Sequence, residues 1–226
     1  MEANRNNQKR RKNKFNLYLH LSIYALALMM LGAIALASIF RNEPTRNFTE
    51  DLAAIGGIHP LSGVLSTLGI LAWCTTASIC FFAAALLHRN NKTKESSFLF
   101  YSACLTTYLT LDDAFLFHDG LIQRIKFLPL NEKIIYALLL TAVVFYLKSF
   151  ARTILKTNFF YLAVSFAFLS LSVVADATPL SYRLGTWQHL FEDGLKWLGI
   201  ISWAIYFIQT SFIFAAYEND ATFQNQ

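Results

Sequence analysis

Two short stretches of the chain gather the side chains that could do chemistry. The first reads Leu111-Asp112-Asp113-Ala114-Phe115-Leu116-Phe117-His118-Asp119. The second reads His189-Leu190-Phe191-Glu192-Asp193-Gly194-Leu195-Lys196. On a helix, Asp112 and Asp119 stand within about 20° of each other and about 10 Å apart along the axis, with Asp113 and His118 on either side of that line. His189, Glu192, Asp193 and Lys196 are spaced i, i+3, i+4, i+7 and share an arc of about 100°, opposite Leu190, Leu195 and Leu198. Such a stripe should face protein or a water-filled cavity. Glu192 and Lys196 are also placed for an i, i+4 ion pair. His59 and Asp176 fall toward the same end of the molecule in the topology argued below.

Carboxylates beside histidines suit general acid and base work. Imidazole nitrogens with carboxylate oxygens also suit zinc or another divalent metal, which can activate a water. The sequence thus nominates Asp112, Asp113, Asp119, Glu192 and Asp193 as catalytic groups. It nominates His59, His118 and His189 as metal ligands, with Asp176 and Lys196 in support. An isolated polar residue at a helix end is ordinarily interfacial, and that reading suits Glu50, Asp51 and, taken alone, His59. Two separate segments that bring polar faces to one depth are less easily explained that way.

The elements that must hold these residues are membrane helices. The chain is 55% hydrophobic with a mean hydropathy of +0.41, and Phe alone supplies 21 residues. Its apolar residues come in blocks of about 20, the length that crosses a hydrocarbon core. We read about six spans, at 17–40, 61–87, 97–117, 132–151, 159–177 and 190–216. The expected fold is all-α: a polytopic transmembrane helical bundle over 17–217, between a basic N-terminal tail (1–16) and a short C-terminal tail (218–226). The apolar run after the basic start is long for a signal peptide and no small-x-small cleavage site follows it, so an uncleaved first helix is expected.

The net charge of +5 does not point to nucleic acid. Arg5, Lys9, Arg10, Arg11, Lys12 and Lys14 precede the first block, Arg89, Lys92 and Lys94 lie in the second loop, and Lys148, Arg152 and Lys156 in the fourth. Positive residues flanking spans mark the cytoplasmic side. Both termini are therefore expected inside, and both chemical stretches toward the outer face of a plasma or inner membrane. Cys74, Cys80 and Cys104 fall inside spans and form no metal or disulfide pattern. Phe117-His118-Asp119-Gly120-Leu121 resembles Phe191-Glu192-Asp193-Gly194-Leu195. The first ends a span and the second begins one, so an inverted repeat is not indicated.

The leading functional expectation is a metal-assisted or acid/base membrane hydrolase acting on a lipid or small-molecule substrate. Its outline resembles that of the CREST hydrolases, which include alkaline ceramidases and set His, Asp and Ser at one face of a helical bundle. His59, Ser62 and Ser66 faintly echo the motif of that family's second span. The likeness implies cleavage of lipid amides or related bonds. The chain departs from the family in two respects: the paired His-x-x-x-His of the last span is replaced by His189 and Asp193, and the family has seven spans. No catalytic residue is carried over from it.

A proton- or cation-coupled small transporter is the alternative, since titratable groups inside a bundle are the material of ion pathways. Against it, the inner halves of the spans are almost wholly apolar; Thr106, Thr107, Tyr108 and Thr110 carry some polarity inward, but no charge follows. A third reading is a structural or accessory subunit whose aromatic faces dock a membrane-protein partner. No phosphate loop, nucleophile elbow or His-Glu-x-x-His pattern occurs.

Overall fold

The computed structural model describes residues 21, 22, 24, 25, 27–42, 44–49, 52–59, 61–115, 132–177 and 187–223. They divide into two units, 1–62 and 63–226. In the first unit lie an apolar helix α1 (Ala27–Arg41) and two short helices, α2 (Arg46–Thr49) and α3 (Leu52–Gly56). Asn42 takes a φ of 52° just past α1, the left-handed conformation that Asn tolerates at helix ends.

The second unit contains α4 (Val64–Arg89), α5 (Thr93–Phe115), α6 (Glu132–Ile154), α7 (Phe160–Ala177) and α8 (Trp187–Phe223). Gly63, with φ 71°, turns the chain into α4. The far end of α4 closes on Asn91 at φ 60°. There the Asn91 N–H donates to the His88 carbonyl (3.1 Å) and the Lys92 N–H to the Leu87 carbonyl (3.0 Å). This paired ending satisfies the last carbonyls and reverses the chain in a few residues. α5 therefore returns antiparallel beside α4, and the Ser96 hydroxyl ties the hairpin by donating to the Ala84 carbonyl at 2.9 Å.

α4 packs against α5 and α8, α7 packs against α8, and α6 touches α5 lightly. Small residues set the close approaches, as is usual where helices associate in lipid. A Cβ on Gly199 of α8 would lie 2.7 Å from Cγ of Leu169 on α7, and one on Gly69 of α4 would lie 3.1 Å from Cδ1 of Ile200. The Ser165 hydroxyl reaches the Gly199 carbonyl at 2.8 Å across the same seam. Trp73, Phe98, Trp203, Tyr206 and Phe207 are buried at the centre. Trp203 meets Trp73 edge-on at 5.6 Å and Phe166 edge-on at 5.7 Å.

The periphery is as apolar as the centre: Phe82, Phe145 and Phe212 are 68%, 72% and 73% exposed. Among the described residues three helices are long and apolar enough to cross a membrane: α4, α6 from Ala137 onward, and α8 over His189–Ala216. Each of the six segments read as spans contains a helix. α1 and α7 are apolar but shorter over their described stretches, and α5 opens with Thr93, Lys94, Glu95, Ser96 and Ser97. The chain is an all-helical protein with the character of a membrane bundle.

Candidate functional site

α5 presents a polar stripe to the bundle. Ser102, Thr106 and Thr110 recur at four-residue intervals and are buried. Each hydroxyl donates to the carbonyl one turn back: Ser102 to Phe98 (2.7 Å), Thr106 to Ser102 (2.7 Å) and Thr110 to Thr106 (2.8 Å). Their oxygens remain able to accept. The indole Nε1 of Trp203 donates to Oγ1 of Thr106 at 3.0 Å, and the Tyr146 hydroxyl bonds Oγ of Ser102 at 2.6 Å.

The stripe ends one turn further on, at Asp113. Its side chain is only 9% exposed. Oδ1 accepts a hydrogen bond from Nζ of Lys196, whose side chain is 40% exposed. The other oxygen, Oδ2, is buried without a hydrogen-bond partner. Asp113 also lines a cavity of about 30 Å³, together with Leu65, Ser66, Gly69, Asp193, Lys196, Trp197 and Ile200. The start of α4, the end of α5 and the start of α8 meet here because α5 runs antiparallel to both neighbours. A buried carboxylate is tolerated only when paired and hydrogen-bonded. Half of Asp113 meets that condition.

The nominated residues fare unequally. Asp113, Asp193 and Lys196 come together at the cavity. Lys196 bonds Asp113 across helices rather than Glu192 on its own helix. Glu192 is half-buried, and its backbone carbonyl accepts from the Ser172 hydroxyl at 3.1 Å. The charges of Asp176, Asp193, His189 and Lys196 all act on its carboxylate. His189 and Asp176 are exposed. Asp112 is half-buried next to Asp113 and does not line the cavity. His59 belongs to the first unit, where its Nδ1 accepts from the Leu61 N–H at 3.2 Å. His118 and Asp119 lie outside the described residues. Among the described residues no three His, Cys, Asp or Glu side chains form a group that could hold a metal ion.

Tyr146, Trp197 and Trp203 were not nominated from the sequence, and Ser66 entered only through the family comparison. Ser102, Thr106 and Thr110 carry a signal that helps: a three-residue step from Thr110 keeps to the same helix face and reaches position 113, whereas 112 lies off it, which marks the carboxylate that faces the neighbouring helices.

No curated protein and no solved structure matches the chain. A family model described as Domain of unknown function (DUF8692) matches residues 22–210, most of the chain, and the protein belongs to that family.

Proposed function

We propose that the chain is a six-span protein of a plasma or inner membrane, with both termini cytoplasmic, that carries a small solute coupled to a proton or another cation. The observation that carries this reading is Asp113: a carboxylate inside a helical bundle, one oxygen on Lys196 and the other buried without a partner, in the wall of a small cavity. Ionisable groups at such positions are costly and are typically kept for ion or proton handling. The buried hydroxyls of Thr110, Thr106 and Ser102 supply polar atoms further along α5, along the span where the sequence already carried some polarity inward at Thr106 and Thr110. The lysine loops on one side of the spans support the orientation. The test is flux into proteoliposomes under an imposed pH gradient. Gradient-driven uptake should vanish in Asp113→Asn; uptake undiminished in that variant removes Asp113 as the coupling group.

One observation favours hydrolysis as a second reading. Ser66 lines the same cavity as Lys196 and Asp113, and a hydroxyl, an amine and a carboxylate are the groups a serine-type hydrolase would draw on. A fluorophosphonate probe should then label Ser66 in the intact protein and fail to label Ser66→Ala. A metal-assisted version would draw on His59, His118 and His189. Stoichiometric zinc that falls in His118→Ala and His189→Ala would support it, and metal-free active protein would remove it.

A further inference from the structure

The cavity wall selects a class of ligand. Asp113, Asp193 and Lys196 contribute two carboxyl groups against one amine, a formal count of one negative charge in excess. The buried Oδ2 of Asp113 is an acceptor without a donor, a costly arrangement that an occupant bringing an N–H or O–H would relieve. Ser66 and Asp193 offer further acceptor oxygens on the same wall. Trp197 adds an aromatic ring, which attracts a cation, and Leu65 and Ile200 add an apolar flank. A volume of about 30 Å³ suits a head the size of one or two waters better than a quaternary group. A lining that mixes oxygen-bearing side chains with indole and hydrocarbon suits an ammonium on an alkyl stem better than an alkali ion, which takes oxygen ligands on all sides.

We infer that this cavity binds a primary ammonium group on a short alkyl stem, held by the Asp113 and Asp193 carboxylates and Ser66 beside Trp197. The inference names the solute class for the carrier site proposed above and rests on that reading. The ammonium could belong to a free alkylamine or to the ethanolamine headgroup of a phospholipid.

Thermal melting of the purified full chain with methylammonium chloride tests it. At about ten times the dissociation constant, a saturable rise of about 3–5 °C is expected, absent with tetramethylammonium or potassium chloride at equal ionic strength. Asp113→Asn should abolish the rise. Because that variant could lose the fold, Asp193→Asn serves as a second, exposed position, where binding should weaken about tenfold. In nanodiscs, phosphatidylethanolamine that already raises the melting point above phosphatidylcholine identifies the lipid as the source; a methylammonium response in both identifies a free amine. No rise with methylammonium in any of these settings, or an equal rise with potassium, overturns the inference. Ammonium binding without transport removes the carrier reading and leaves the binding site standing. Proton-driven flux of other solutes without ammonium binding does the reverse.

Discussion

The two oxygens of Asp113 have different surroundings, and that difference sets what substitutions should do. Lys196→Met strands a carboxylate that is 9% exposed, and should cost about 1–3 kcal/mol of stability, the lower end applying because the lysine is itself partly hydrated. The double variant Asp113→Asn/Lys196→Met should regain most of that loss. Melting of the three variants in one detergent gives the coupling, and strictly additive losses would count against a functional pair. Thr106→Val removes the acceptor for the Trp203 indole and should cost about 1–3 kcal/mol; in a Trp203→Phe background the same change should cost far less. At this scale the sequence was only half legible. It showed that a carboxylate belonged near the end of α5, but the line drawn through Asp112 and Asp119 left Asp113 to one side, and it is Asp113 that bonds Lys196 of α8. A rotation of about 100° separates adjacent residues on a helix, and the partner helix that fixes the choice is far away in the chain.

At the scale of the element, two glycines of α8 should behave oppositely. A Cβ at Gly199 meets Leu169 side-chain atoms at 2.7 Å and 2.8 Å and its backbone nitrogen at 3.2 Å. Gly199→Ala must push α7 from α8 and should cost about 1–3 kcal/mol. Adding Leu169→Ala should recover part of it, since the backbone contact remains. Gly194→Ala meets nothing within 4 Å and should be neutral or raise stability by up to about 1 kcal/mol through helix propensity. Equal effects at the two sites in a melting assay would refute the close α7–α8 contact. The helices themselves were legible, because apolar blocks of membrane length leave the backbone little alternative to helix. Their contacts were not: Gly69 and Gly199 look like any other glycine until the opposite helix is placed.

For the whole molecule, the arrangement of basic residues makes a prediction about sides. Asp51→Cys should react with a membrane-impermeant maleimide on intact cells, and Asn91→Cys only after permeabilisation. The opposite pattern would reverse the proposed orientation. The candidate site was legible as a gathering of charge from two distant stretches, and α5 and α8 do meet at Asp113 and Lys196. The metal-ligand set was less accessible to such reasoning. Periodicity relates residues within one helix, whereas His59, His118 and His189 belong to three different segments, and their mutual distance depends on connections that no helical repeat determines.

The pairing of Asp113 with Lys196 also sets a timetable for synthesis. The two residues are 83 positions apart, so at about 5–20 residues per second the carboxylate emerges roughly 4–16 s before its counter-ion. The hydroxyls of Ser102, Thr106 and Thr110 have no such delay, because each finds its acceptor within α5 itself. Of these four polar side chains of α5, Asp113 is the one whose bonding depends wholly on α8. The nascent hairpin of α4 and α5 is therefore complete in its backbone but unfinished in its charge, and final seating of α5 belongs to the last stage of assembly.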